Sequence, residues 1–535
     1  MHIAGLAPPH QSRVAVSRNS FPRHLKATNS FTCTRQTMAP PLIPSTLLLG
    51  VLLCFLVYRC QRQKAPFPPG PPSIPILGNA LQLPMEKQWV KYREWAEQYG
   101  DIVHVSAFGQ HIILLNSETT VFDLLERRSA IYSDRPRLCM SGELVGWSDS
   151  VPMCAYGNRH REYRRLINEV LAPRKLEEYH TMEEDKALEY LRLLVKEPAS
   201  FLTHARCLVA AIIFDISHGH TVVDKDDPMM ELAERANDEF SQSALPGAYL
   251  CDALPILRYI PEWTGARFKQ DAKRFRKTVM TLRDGAYEDV TAQLMTGTAK
   301  PSFTQSLIER NQHPTPEEEL TYKWASVGLY GAGADTTVSA VGSFFLAMSL
   351  HPEIQERAHA ELLKVVGSTR LPRFSDRADL PYIWAIIKEV HRWNPVTPLA
   401  LPHRLMQDDI YQGYHIPGGS VIFANPWAIM HDPEIYPAPF DFNPERFLFP
   451  SEDPKLNPDP RRYMFGFGRR SCPGQYLAED VLYITIVTTL AVFRIGPAKK
   501  SKTVKDVEYT SGVVSHPKDL ECIFTPRSEA LWFVR

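Results

Sequence analysis

"FGFGRRSCPGQ", Phe465–Gln475, sets one cysteine in a loop of glycine, arginine and proline. No second cysteine stands near Cys472, and the nine cysteines of the chain are scattered without a CxxC pair. That argues against a disulfide framework and against a cysteine-based zinc site. Three readings of the thiol remain: a buried structural residue, a nucleophile, or a metal ligand. By frequency the structural reading leads. A nucleophilic cysteine wants a histidine base, and the local signatures of cysteine proteases are absent. A thiolate bound to haem iron suits the flanks better, because the iron takes one protein sulfur and keeps its other face for oxygen. Gly466, Gly468 and Gly474 allow tight turns and close approach to a flat macrocycle. Backbone N–H groups in the loop can aim at the sulfur, and Arg470 matches the geometry of a haem propionate.

Outward from this loop, the chain has 535 residues, no net charge and 44% hydrophobic residues, enough for a sizeable core. The neutral balance gives no sign of a nucleic-acid partner. One apolar run, "LIPSTLLLGVLLCFLVY", Leu42–Tyr58, carries no charge and is long enough to cross a bilayer. Arg59, Arg62 and Lys64 follow it, and then the proline-rich "APFPPGPPSIPILGN". A buried core helix is the blander reading of the run, but it fits poorly beside so stiff and extended a neighbour. The expected organisation is an extension over 1–40, a transmembrane anchor over 41–60, a hinge over 61–78 and one catalytic domain over 79–535. Residues 1–37 hold Arg13, Arg18, Arg23, Lys26 and Arg35 and no acid, as a mitochondrial transit peptide does. The preferred alternative is a true start at Met38, with the upstream segment an artefact of gene prediction. The basic residues then all follow the anchor, which places the body in the cytosol on the endoplasmic reticulum membrane.

Helical patterns dominate the body. "MEKQWVKYREWAEQYG", "RHREYRRLINEVL", a long segment over 322–350 and "LPYIWAIIKEVHRW" all show helical spacing. "DIVHVSAFGQHIILLN" alternates as a hairpin does. Short strands are expected within "LPHRLMQDDIYQGYHIPGGSVIF" and near "TSGVVSHP".

The spacing of Phe465, Gly468, Arg470, Cys472 and Gly474 resembles the haem-binding signature of the cytochrome P-450 superfamily. Other motifs fall in that family's order. "AGADTT", Ala332–Thr337, lies within the long helix. The resemblance makes Asp335 and Thr336 an acid–alcohol pair that relays protons to bound oxygen. The small residues would let the helix pass close over the haem. By itself the stretch reads equally as a glycine-rich packing helix. "EVHR", Glu389–Arg392, puts an acid and an arginine at i, i+3. An ordinary surface ion pair is the bland reading. The resemblance instead buries the pair against Arg446 of "PERF" as a structural lock. One departure stands out: where the family often has tryptophan four residues before an arginine, this chain has His160 before Arg164. His160, Arg164 and His403 of "LPHR" are carried over as propionate contacts.

The resemblance runs from about residue 66 to the C-terminus. "YSDRP" and "RWNPVTPLALPHRLMQDDIYQGYHIPGGS" look most like basidiomycete enzymes of secondary metabolism. It implies a mainly α fold with small β-sheets, plus the N-terminal transmembrane helix. It implies a monooxygenase with haem b, ligated by Cys472, and with electrons from NADPH through a cytochrome P-450 reductase, cytochrome b5 being an optional second donor. Substrate-pocket candidates are Ala332, Val396, Thr397, Leu399, Val513 and Val514. All are small or apolar, which suits a hydrophobic ligand such as a terpenoid or polycyclic aromatic compound. Two rivals are a haem-thiolate enzyme that rearranges a peroxide and a non-catalytic membrane haem-binding protein. The intact Asp335–Thr336 pair argues against both.

Overall fold

The computed structural model describes Gly50 and residues 52–54, 65–245, 247–450, 452–498 and 507–527. The expected extension lies outside these residues. So does most of the expected anchor, of which Gly50 and Leu52–Cys54 are described, helical and exposed. The chain divides into two units, Met1–Gln63 and Lys64–Arg535. Among the described residues one helical stretch, Pro198–His218, is long and apolar enough to span a membrane, but 67% of its most apolar window is buried inside the protein, as in a core helix.

In the second unit, helix α1 (Gln88–Tyr99) starts later than its sequence pattern suggests, because Lys87 takes a left-handed conformation with φ 45°. Strands β1 (Ile102–Ala107) and β2 (Gln110–Leu115) form the expected hairpin. Phe108 and Gly109 join them with φ 50° and 84°, the two positive values a tight two-residue turn requires. Then come α2 (Asn158–Leu171), α3 (His180–Lys196), α4 (Phe201–His218), α5 (Pro228–Ala244) and α6 (Arg267–Thr296). Helix α7 (Pro316–Leu350) has 35 residues and is about 52 Å long. It starts before residue 322 because Thr315 and Glu318 form a capping box around Pro316 at the first position. Its C-terminus is set by His351 and Pro352, and α8 (Pro352–Val365) follows.

Helix α9 (Pro381–Trp393) leads to β3 (His403–Arg404), β4 (Asp409–Tyr411), β5 (Tyr414–Ile416) and β6 (Val421–Ala424). The main sheet has the order β1-β2-β6-β3, with β2 and β6 parallel and the other pairs antiparallel. Alternation sorts its side chains. Ile102, Ile113, Leu115, Ile422 and Ala424 enter one core with Leu124, Leu125 and Phe467. Val103, Val105, Leu114 and Phe423 enter another with Tyr92 and Trp95 of α1. Both faces are covered, which explains the unbroken apolar run of β2. Helix α10 (Gln475–Val492), β7 (Phe493–Pro497) and β8 (Cys522–Pro526) close the chain. The "TSGVVSHP" segment is a turn closed by one bridge, Tyr509 to Pro517, where a strand was expected; the antiparallel partner of β7 is β8, further on.

The expected lock is built from fully buried groups. Arg392 donates from Nε and Nη2 to the two oxygens of Glu389 at 2.7 and 2.8 Å. Arg446 Nε lies 3.2 Å from Glu389 Oε2, and the Asn443 N–H donates to Oε1 at 2.7 Å. The remaining arginine N–H groups meet the carbonyls of Met430, Pro437, Pro439 and Asp441. This fastens α9 to the segment that precedes the cysteine loop.

Candidate active site

The Phe465–Gln475 loop folds on itself. The Cys472 N–H donates to the Phe465 carbonyl at 2.7 Å, and the N–H groups of Arg470 and Ser471 donate to Phe467 and Gly468. Gly466 and Gly468 have φ 72° and 55°. At Gly468 a side chain is excluded twice over, since a Cβ would lie 2.2 Å from the Leu125 carbonyl oxygen. Its N–H donates to Glu126 at 2.6 Å. Phe465 is buried edge-on against His391 at 5.8 Å. Gly474 caps α10, so Cys472 stands just ahead of a helix N-terminus, where negative charge is favoured. Burial pushes the Cys472 thiol up, while the Gly474 N–H and the Arg164 guanidinium pull it back toward the thiolate. Arg164 Nη1 donates to the Ser471 carbonyl at 2.5 Å, which sets it beside that sulfur.

Beside the loop lie two buried guanidinium groups, those of Arg470 and Arg135. Arg470 donates from Nε to the Ser133 carbonyl at 2.8 Å and from Nη2 to the Cys154 carbonyl at 2.6 Å. Arg135 donates to the carbonyls of Pro152, Leu401 and Pro402. Among the described residues no carboxylate bonds either guanidinium. The nearby Asp134 is taken by Arg404 and the Tyr156 N–H. Burial, and then Arg470, brings Arg135 down to about 9. Burial and the neighbouring arginines hold His160 and His403 near 3. His403 Nδ1 lies 2.7 Å from the Tyr132 carbonyl, and His160 Nδ1 is buried without a partner. Arg135, from the "YSDRP" stretch, was not among the expected site residues. The fold brings it to Arg470 and His403.

The Ala332–Thr337 stretch interrupts the burial of α7. Residues 331–336 are open or half-open, while Tyr330 on one side and 337–349 on the other are buried. Ala332 is the exposed position. Gly333 has a packing task instead, since a Cβ there would lie 2.7 Å from Ile213 of α4. The Thr336 hydroxyl donates to the Ala332 carbonyl at 2.8 Å. Asp335 Oδ1 lies 3.0 Å from His516 Nε2, a contact that the motif gave no hint of. Of the pocket candidates, Val396 is buried in the main core, Val514 packs on that core, and Leu399 packs against the sheet core around Tyr92 and Phe423. Thr397 and Val513 are half-buried.

A family model for cytochrome P-450 matches residues 68–524. The chain belongs to the cytochrome P-450 family. It is similar to cytochrome P-450 monooxygenase 208 of Postia placenta, at 44% identity over 90% of this chain and 94% of that one. It is similar to monooxygenase claR of Ampulloclitocybe clavipes at 38% identity over 93% of this chain and 94% of the relative. An Armillaria gallica monooxygenase is 38% identical over 91% of this chain and 97% of its own length. This cytochrome P-450 is therefore a monooxygenase that uses haem b and electrons from NADPH through a reductase. The residues present fit that group. One thiol is set at a helix N-terminus, and buried guanidinium groups lack the carboxylates that two propionates would supply.

Proposed function

We propose that this enzyme inserts one oxygen atom of O2 into a hydrophobic small molecule, a terpenoid, polycyclic or other aromatic compound, in fungal secondary metabolism or xenobiotic oxidation. The unmatched cation cluster beside Cys472, in a chain whose central helix opens at Ala332–Thr336, is the observation that carries this reading. Haem, once bound, supplies oxygen activation; orientation, protonation and water exclusion fall to the protein. Cys472 is assigned as the iron ligand. Arg135, Arg164, Arg470, His160 and His403 are assigned to the propionates, and Phe465, Gly468 and Gly474 to the ligand loop's shape. Asp335 is assigned to hold and pass on a proton, and Thr336 to fix where it arrives. Thr336 bonds back to Ala332, which loosens the local helix ladder and leaves its lone pairs as acceptors. Glu389, Arg392 and Arg446 are assigned a structural task only. Leu42–Tyr58 is assigned as a single-pass anchor in the endoplasmic reticulum membrane, with the catalytic domain in the cytosol.

The test is reconstitution of the full chain with reductase, NADPH and a panel of such compounds. The reading expects substrate-dependent NADPH consumption, oxygenated product, and loss of the thiolate-type reduced carbon-monoxide band in Cys472→Ala. A Cys472→Ala protein that keeps the band refutes the ligand assignment. Turnover from organic peroxide with no NADPH requirement refutes the monooxygenase cycle.

A further inference from the structure

We propose that His516 is the positioning residue of the proton relay: it orients Asp335 and supplies the proton that Asp335 passes on. This rests on the relay role given to Asp335 above.

His516 Nε2 meets Asp335 Oδ1 at 3.0 Å. The loop that carries it is closed by two bonds with Thr510. The His516 N–H donates to Thr510 Oγ1 at 2.9 Å, and the Thr510 N–H donates to the His516 carbonyl at 2.8 Å. Ser515, next in the chain, is fully buried. Its carbonyl accepts from Ser339 Oγ at 2.6 Å and from Asn394 Nδ2 at 3.4 Å, and its N–H donates to Val396. Ser339 lies one helical turn beyond Asp335 on α7, so the loop is pinned to the face that presents the acid. These buried bonds hold the loop. The Asp335–His516 pair is partly open to solvent, and such pairs contribute little to stability. As a staple it is redundant; as a proton path it gives the acid of α7 a titratable partner on a loop that is itself held in place, with both side chains partly open to solvent.

Other charges face the same carboxylate. Burial raises the carboxyls of Glu234 and Asp238 on α5, Asp335 adds to that shift, and Arg206 on α4 opposes it. On the loop's own side, Lys518 is paired with Glu508 at 3.6 Å. With the imidazole protonated, three carboxylates therefore face two cations. The step itself is simple. The imidazolium gives its Nε2 proton to Asp335 Oδ1, leaving a neutral imidazole and a carboxylic acid. Asp335 releases that proton inward, past Thr336, to the oxygen atom that the reaction releases as water, and returns to carboxylate; His516 takes a replacement from solvent. One proton moves inward and no electron is transferred.

The experiment uses the haem-loaded full chain with its reductase. His516→Gln keeps a donor toward Asp335 but has no proton to give. It should keep the haem spectrum, the substrate-induced spectral change and KM, while kcat falls about five-fold or more and its solvent isotope effect rises. The decline of kcat on the alkaline side should disappear from its pH profile. His516→Lys keeps a titratable cation and should move that decline to higher pH, which tests the idea even if the glutamine variant folds poorly. A readout independent of turnover is the NMR titration of the His516 ring in the resting enzyme, which should change in Asp335→Asn. If Asp335→Asn slows turnover but His516→Gln leaves kcat, pH profile and isotope effect as in the parent, His516 has no such role and the Asp335 assignment stands. If Asp335→Asn itself has no effect, the relay reading falls and this inference with it.

Discussion

Two sets of buried arginines in this protein differ in how their charge is met. Arg392 and Arg446 share the Glu389 carboxylate and fill their remaining N–H groups with backbone carbonyls. Arg135 and Arg470 also bond carbonyls, but among the described residues no carboxylate bonds them, and each depresses the protonation of its neighbours. The first set is complete within the chain and behaves as structure. The second leaves buried positive charge uncompensated among the described residues, a condition that costs stability and that a bound anion would relieve.

The largest effect should come from breaking the complete set. Glu389→Gln leaves two guanidinium groups buried around a neutral partner, and removal of one member of such a group costs about 3–5 kcal/mol. Urea denaturation should show a collapse of stability with or without haem. A denaturation midpoint like that of the parent would mean that the triad is not the lock.

Next comes the loop between cysteine and core. Gly468→Ala forces a side chain into a left-handed conformation and against the Leu125 carbonyl. Left-handed strain alone costs about 1–2 kcal/mol, and displaced backbone adds a similar amount. We expect a loss on the order of 2–4 kcal/mol by denaturation, with a smaller share of the protein showing the thiolate-type carbon-monoxide band.

How much of this contrast was legible in the chain depends on range. Glu389 and Arg392 sit one helical turn apart, and Gly468, Arg470 and Cys472 share one loop, so local spacing reveals them. Arg135 joins Arg470 only through tertiary packing, across more than three hundred residues, and no local pattern marks it. His516 lies in a segment where a short strand was expected, yet turn bonds with Thr510 outweigh pairing there and aim the ring at α7. The small residues of "AGADTT" were visible as a group, but not that Gly333 packs on Ile213 while Ala332 faces the opening. Which member of a small-residue run packs and which opens is decided by the neighbouring helix.

The third effect is one of pH and sharpens the contrast from the incomplete side. His403 in the folded chain resists protonation until about pH 3, because of burial first and then Arg135. Unfolded, it takes a proton near 6.5. The unfolded chain therefore binds more protons between these values, so stability is full at neutral pH and is lost as pH falls from 6.5 toward 3. At pH 5 the loss from this one group is about 2 kcal/mol. His403→Gln keeps a donor for the Tyr132 carbonyl and should remove that share from the acid limb of haem-free protein. In haem-loaded protein the limb should already be shallower, since propionates offset the cluster's charge. Equal acid limbs in the two forms would refute the propionate assignment.

The smallest effect on folding should come from Arg135→Gln, and its sign separates the two sets most cleanly. The substitution removes one of several mutually repelling charges and relieves Arg470 and His403. It also weakens bonds to the Pro152, Leu401 and Pro402 carbonyls, although glutamine keeps a donor for one of them. Each effect is about 1–3 kcal/mol and they oppose, so they largely cancel and haem-free stability should change by less than about 2 kcal/mol in either direction. Arg446→Gln has no such relief, because it removes a cation that Glu389 needs, and it should cost more than about 2 kcal/mol. Haem retention should order the two the other way relative to folding. Arg135→Gln should release haem to an acceptor apoprotein about ten-fold faster while its urea midpoint barely moves. If Arg135→Gln instead lowers stability as much as Arg446→Gln and leaves haem release unchanged, both sets are structural, and the cluster around Cys472 needs another explanation.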